Sequence, residues 1–238
     1  MEVDLSLPAL PGHPIQMVAV AFCEAKDGLI LGVGELVKHQ PVPLVDLFPD
    51  VGQDLVQRFP GVVVLDEAYA DFSPKGSLRE KVLEYPNLVV LQTFSKAYGM
   101  AGLRLGMAFA DAYVIDLMNR VKYPYNISQA TQEIVLKALE QSRDREIAEL
   151  VAQRDRLTAA LPQRSCILRL WPSDANFLLV QVADADGLYA HLLQDGIIVR
   201  NRSRVPGCAG CLRLTIGTPE ENDRLLQSLD RYEKSHLR

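Results

Sequence analysis

The densest chemistry lies in Thr93-Phe94-Ser95-Lys96-Ala97-Tyr98-Gly99-Met100-Ala101-Gly102-Leu103-Arg104-Leu105-Gly106. These fourteen residues hold two aliphatic hydroxyls, one lysine, one arginine and three glycines. Small residues and glycines let backbone approach a ligand closely. A lysine flanked by hydroxyls on such a loop is a candidate amine nucleophile beside an anion site; the alternative is a solvated surface charge. Thirty residues upstream, Asp66 closes the apolar run Val62–Leu65. Open α/β sheets bind ligands beyond the carboxyl ends of their strands, and a carboxylate there needs a cation or a donor. Its other reading is a cap on the following turn. An apolar run ending in Asp66-Glu67 also suits a P-loop nucleotidase. That chemistry needs G-x-x-x-x-G-K-[ST], and the sequence contains no Gly-Lys pair.

These residues need strands and helices to position them. Val62–Leu65 reads as a buried strand of the parallel kind, Leu88–Leu91 as a second buried strand and Leu105–Ala110 as another short strand. Ser77–Glu84 reads as a short helix. Ala112–Lys122 has helical periodicity with Val114, Leu117, Met118 and Val121 on one face, and Pro124 interrupts the pattern. Ser128–Leu139 and Arg145–Leu161 are helices by the same test. After Pro162 come strands Cys166–Leu170 and Asn176–Val182, a helix Asp184–Gln194 closed by Asp195-Gly196, and strands Ile197–Arg200 and Cys211–Ile216. A terminal helix opens at Pro219, with Glu220 and Glu221 in its first turn, and runs to about Lys234. Strand–helix alternation of this sort argues an α/β fold. Residues 58–150 form a larger, mostly parallel domain with a linker helix, and residues 151–238 a smaller C-terminal α/β domain. Residues 1–57 are left unassigned. They hold six of the fourteen prolines, and the apolar runs Met17–Cys23 and Leu29–Val33 are confined by them to sheet edges.

A net charge of −5 with no Lys/Arg-rich cluster argues against a nucleic-acid partner. The longest apolar runs are too short to span a membrane, and the acidic N-terminus is no secretory signal. Four cysteines in a chain this long make no disulfide framework. Cys208 and Cys211 form a lone C-x-x-C without the second pair or histidines of a zinc set, which reads as reduced thiols in a cytoplasmic protein. The four histidines show no ligand or catalytic spacing. Arg202 and Arg204 read as solvated loop charges.

The run Val62-Val63-Val64-Leu65-Asp66-Glu67-Ala68-Tyr69-Ala70-Asp71-Phe72, together with Thr93–Gly106, resembles the class II pyridoxal-phosphate (PLP) aminotransferases of fold type I. More closely it resembles the histidinol-phosphate aminotransferases. Ser173-Asp174-Ala175-Asn176-Phe177, Gly196–Arg200 and Leu212–Gly217 fit the same subfamily, and the likeness covers roughly residues 58–232. The resemblance implies that Lys96 holds PLP as an internal aldimine and, once freed, shuttles the substrate Cα proton. It implies that Asp66 keeps the pyridine nitrogen protonated and that Tyr69 hydrogen-bonds the ring hydroxyl. Ser95 and Arg104, with Thr93, would grip the cofactor phosphate, which hydroxyl donors and a guanidinium fork suit. Arg213 would pair with the substrate carboxylate or its equivalent, Arg200 with the substrate phosphate, and Asn176 would shape the site. From the residues alone, Arg213 reads equally as a solvent-facing strand residue, and Asn176 as a backbone partner at a strand start.

The implied activity is transamination between histidinol phosphate and 2-oxoglutarate, with glutamate as the other partner, in histidine biosynthesis by a cytoplasmic homodimer. A threonine-phosphate decarboxylase-like or aromatic aminotransferase is the substrate-level alternative. A complete enzyme of this kind carries a Gly-rich phosphate anchor, a stacking aromatic and an Asn-Asn-Pro turn before the Asp-Glu-Ala-Tyr strand. Residues 1–57 contain no Asn-Asn-Pro and do not resemble the family. The expectation is therefore an incomplete large domain, truncated or divergent at its N-terminus, with a non-catalytic paralogue or interaction module as the other reading.

Overall fold

The computed structural model describes residues 17–21, 56–59, 61–122 and 127–236. Leu29–Val33, most of residues 1–57 and Pro124 lie outside them. The chain divides into two units, and the division falls between Arg143 and Asp144.

The first unit is built on a four-stranded sheet of order β1-β4-β3-β2. The strands are β1 (Met17–Ala21), β2 (Val63–Asp66), β3 (Leu88–Thr93) and β4 (Leu105–Ala110). β2 and β3 run parallel, Val63 opposite Leu88 and Asp66 opposite Leu91. β4 runs antiparallel to β3 and to β1, so the described sheet is mixed rather than mostly parallel. Connection length explains this. The chain from Asp66 to Leu88 is long enough for a crossover, whereas residues 94–104 are too few to carry β4 back parallel to β3.

The two faces of this sheet bury different residues. Val63, Leu65, Leu88, Val90, Leu105, Met107 and Phe109 pack with Val56, Val82, Phe94 and Val135. On the other face Val89 and Ala110 pack against Ile115 of α1 (Ala112–Val121). That helix turns Val114, Ile115 and Met118 to the sheet, while Leu117 and Val121 are exposed. The expected apolar face is thus rotated around the helix, with Ile115 buried in place of Leu117 and Val121. Asp111 caps α1 by accepting the Tyr113 N–H at 2.8 Å, and Ser128 caps α2 (Gln129–Leu139) by accepting that of Thr131. The expected helix near Ser77–Glu84 is a short 3-10 turn, Arg79–Leu83.

The second unit is an antiparallel sheet, β5 (Ile167–Leu170), β6 (Phe177–Val182), β7 (Arg200–Asn201) and β8 (Cys211–Thr215), in the order β5-β6-β8-β7. Its core joins Leu178, Val180, Val182, Leu212 and Leu214 to apolar residues of α3 (Asp144–Ala160), α4 (Ala185–Gln194) and α5 (Pro219–His236). Leu157 of α3 is fully buried there, which is why the whole of α3 belongs to this unit. α5 opens with a capping box: Glu221 N–H donates to Thr218 Oγ1, and the Glu221 carboxylate accepts Thr218 N–H.

β7 is shorter than the apolar run Ile197–Arg200 suggested. α4 ends in a Schellman motif, in which Gly196 N–H donates to Leu193 O and Ile197 N–H to Leu192 O. Gly196 takes φ 73° to make that turn. Ile197 is therefore still bonded to the helix, and pairing with β8 starts only at Arg200. The gap leaves a cleft of about 310 Å³ lined by Ile197, Ile198, Leu214, Ile216, Asn222 and Leu225. Asn222 is already engaged, with Gly217 and Gln153.

Candidate active site

In the first unit the site residues stand where β2 and β3 end. Side chains alternate along a strand, so the register places Asp66, Leu91 and Thr93 on one face of the sheet. Asp66 Oδ1 accepts the Ala68 N–H at 3.0 Å, which turns the chain sharply toward Tyr69. The turn is a local device, and it aims Tyr69 at the loop after β3: Lys96 Nζ lies 5.2 Å from the centre of the Tyr69 ring. Both residues are half-buried. The amine and the phenol that the sequence separates by 27 positions thus form one cation–π contact.

The loop between β3 and β4 is folded by its own hydroxyls and glycines. Thr93 Oγ1 accepts the Ser95 N–H at 3.1 Å and directs its own proton toward Ser95 Oγ and Leu105 O, at 3.0 and 3.3 Å. Ser95 Oγ can therefore still donate to an anion. Gly99, at φ 67°, lets its N–H return to Lys96 O, and Met100 N–H reaches Phe94 O. Phe94 and Tyr98 meet edge to face beneath. The loop ends at Arg104, at φ 54° and ψ 41°, the non-glycine residue with positive φ among the described residues. Its Nη1 donates to Ala101 O at 3.2 Å. Backbone strain of this kind persists where the surroundings hold it and clusters at ligand clamps.

Glu67 was not singled out from the sequence, yet it fixes the same corner. It is buried, and its carboxylate accepts Ser77 Oγ at 2.5 Å, Leu78 N–H at 2.8 Å and Gln92 Nε2 at 3.1 Å. Gln92 also donates to Ser77. Asp66 and Glu67, adjacent in sequence, serve opposite faces of the sheet. The signal was available: a second carboxylate directly after a buried strand, with Gln92 at the matching parity on β3.

In the second unit Arg200 and Arg213 stand directly opposite each other on β7 and β8. Facing residues of an antiparallel pair share a side of the sheet, and like charges so placed repel. Arg213 rests its guanidinium over Phe177, 5.0 Å from the ring centre, and its Nε is buried with no hydrogen-bond partner. A buried donor without an acceptor costs free energy. Two facing cations, one with an orphaned donor, are what an incoming anion would satisfy. Asn176 opens β6, its carbonyl accepting Ile216 N–H at 3.0 Å. The preceding turn is set by Ser173 Oγ, which accepts Ala175 N–H and donates to Phe177 O, while buried Arg154 donates to Ala175 O.

The residues present fit the expected pyridine cofactor in kind: an amine against an aromatic ring, a donor hydroxyl, and a guanidinium on a strained loop end. Residues 53–229 match the family Aminotransferase class I and II. The chain is 50% identical over 177 residues to a histidinol-phosphate aminotransferase of Parabacteroides distasonis, covering 74% of this chain and 51% of that one. It is 47% identical over 176 residues to that of Flavobacterium psychrophilum, with the same coverage. The chain spans about half the length of these curated relatives. Its fold is similar to the structure of a Sinorhizobium meliloti histidinol-phosphate aminotransferase in complex with pyridoxal-5'-phosphate. The TM-score is 0.68 at 24% identity, covering 78% of this chain and 53% of the other.

Proposed function

We propose, from the premise that this chain belongs to the class I and II aminotransferases, that it binds PLP through Lys96 and exchanges amino groups between histidinol phosphate and 2-oxoglutarate. The observation that carries the reading is Lys96 Nζ held over the Tyr69 ring at the carboxyl ends of β2 and β3. The names of the relatives support the substrate. So does the facing pair Arg200 and Arg213, which suits a phosphorylated, dianionic molecule.

Bound PLP supplies an electron sink for the pair left at the substrate Cα. The chain's own groups do the rest. Lys96 Nζ is the nucleophile that holds the cofactor aldehyde carbon, and when released it is the base that takes the Cα proton. Asp66 offers its carboxylate to the pyridine nitrogen and keeps a proton there. The Tyr69 hydroxyl donates to the ring oxygen. Ser95 Oγ and the Arg104 guanidinium hold the phosphate, with Thr93 fixing the orientation of Ser95. Arg200 and Arg213 take the anionic ends of the substrate, and Asn176 shapes the start of β6 beside them.

Residues 58–143 are then the cofactor-binding part and residues 144–238 the substrate-binding part of a cytoplasmic homodimer. No helix among the described residues is long and apolar enough to cross a membrane. The test is direct. The chain is mixed with PLP, reduced with borohydride and digested. A pyridoxyl group on Lys96 supports the reading; its absence, with the chain folded, overturns it. Turnover of histidinol phosphate with 2-oxoglutarate then tests the substrate.

A further inference from the structure

Cys208 and Cys211 take no part in the chemistry of the aminotransferase site, yet the backbone around them is closely determined. After β7 it makes three successive reverse turns, closed by Val205 N–H to Arg202 O at 2.8 Å, Cys208 N–H to Val205 O at 3.0 Å and Cys211 N–H to Cys208 O at 3.0 Å. Gly207 and Gly210, at φ 79° and 71°, supply the positive φ that the third position of the last two turns demands. The last turn is Cys208-Ala209-Gly210-Cys211, with a cysteine at each end. A β-turn brings its first and fourth Cα atoms within about 7 Å, close to the span a disulfide bridges.

The turn is also held from outside. Val182 N–H donates to Gly210 O at 2.9 Å, Gln181 Nε2 to Ala209 O at 3.3 Å and Arg202 N–H to Cys211 O at 2.8 Å. A side chain at position 210 would meet Val182 O at 3.2 Å. Both thiols are free; Cys208 is half-exposed and Cys211 buried. The Cys211 thiol donates to Ala209 O at 3.7 Å, which keeps its sulfur on the turn itself. Burial, and then the neighbouring Cys208, push the Cys211 thiol up.

We propose that Cys208 and Cys211 are a dithiol that closes to a disulfide by exchange with a small disulfide such as oxidised glutathione. The Cys208 thiolate, the accessible one, attacks a sulfur of oxidised glutathione. The glutathione S–S bond breaks, and the departing thiolate takes a proton from solvent. Cys211 gives its proton to solvent and attacks Cys208 Sγ, expelling the second glutathione as a thiol. Two protein thiols are oxidised and one glutathione disulfide is reduced. Cys166, the other described cysteine, is no rival: burial and the adjacent Glu233 push its thiol up to about 12. The bridge pins the end of the β7–β8 hairpin, the element that carries Arg200 and Arg213.

The experiment treats the folded full chain with oxidised glutathione, quenches with acid and digests with trypsin. The peptide Val205–Arg213 contains both cysteines. In the unsubstituted protein it is expected two hydrogens lighter and free of glutathione. Cys211→Ser should trap glutathione on Cys208, and Cys208→Ser should leave Cys211 unmodified. Glutathione persisting on the unsubstituted chain, a bridge to Cys166 or Cys23, or closure seen only in denaturant would each overturn the proposal.

Discussion

Replacing Arg104 by glycine separates what this residue costs the fold from what it gives the site. Arg104 sits at φ 54°, ψ 41°, where a residue with a Cβ pays about 1–2 kcal/mol. Glycine removes that cost but loses about 0.4–1 kcal/mol to the greater freedom of its unfolded chain. The substitution also removes the exposed Arg104 Nη1–Ala101 O bond, about 0.5–1 kcal/mol at most. These terms nearly cancel, so Arg104→Gly should leave the ligand-free chain within about 1 kcal/mol of its starting stability. Binding should behave differently. A guanidinium–phosphate hydrogen bond contributes about 1.5–3 kcal/mol, which is roughly a 10- to 150-fold loss of PLP affinity when it goes. Urea unfolding of the ligand-free chain reads the first quantity, and titration with PLP followed by absorbance reads the second. Arg104→Asn, which tolerates the same backbone, should behave like the glycine variant. PLP affinity changed by less than about threefold, well short of one charged hydrogen bond, would refute the phosphate grip. A ligand-free loss above about 2 kcal/mol would refute the strain argument.

Other residues make separate predictions. Glu67→Gln puts an amide donor among the Ser77, Leu78 and Gln92 donors and should cost about 1–3 kcal/mol in urea unfolding; no change would mean that the network is not formed. Arg200→Ala should raise KM for histidinol phosphate about 10-fold or more while leaving PLP attachment at Lys96 intact, and an unchanged KM would point to a different substrate. Asp195 is held below the usual carboxylate range first by the Ser228 hydroxyl and then by Arg231. A depressed folded-state pKa contributes stability above the ordinary value of 3.8, lost as pH falls through the lower folded value. Asp195→Asn should therefore flatten the acid side of the stability–pH curve below that point, measured by thermal melting; an unaltered acid limb would refute the assignment.

Much of the site was legible because local chemistry decides it. The Thr93–Gly106 loop is folded by its own hydroxyls and glycines, and helices α1, α2 and α4 start at Asp111, Ser128 and Asp184, whose side chains accept the first free N–H groups. The features that the sequence reading missed depend on partners far away in the chain. Glu67 left a signal in its place after a buried strand and in the parity of Gln92, but its role shows only once β3 brings Gln92 beside it. The facing of Arg200 and Arg213 is a matter of register, set by where α4 lets go of the chain at Ile197. Periodicity treated Ile197–Val199 as strand because apolar β-branched residues favour one, and it could not see the Schellman bonds that compete for the same backbone.

The three proposed binding features share one physical character: each breaks a local rule. Arg104 holds a conformation that glycine would hold more easily. Arg200 and Arg213 face each other across a β-pair with like charge, one with an orphaned Nε. Lys96 leans on a ring rather than on a carboxylate. A stability-optimised sequence would remove all three. In the proposed function each defect would be relieved by the same kind of partner, a phosphorylated aromatic or a dianion, so that its cost in the ligand-free chain would become affinity on binding. This predicts an order for stabilising substitutions: gains in ligand-free stability should come at positions 200 and 213, where nothing offsets them as it does at 104, and those same changes should weaken ligand binding most. If substitutions elsewhere on the exposed surface gave equal gains, the conflict at these two sites would be incidental to function.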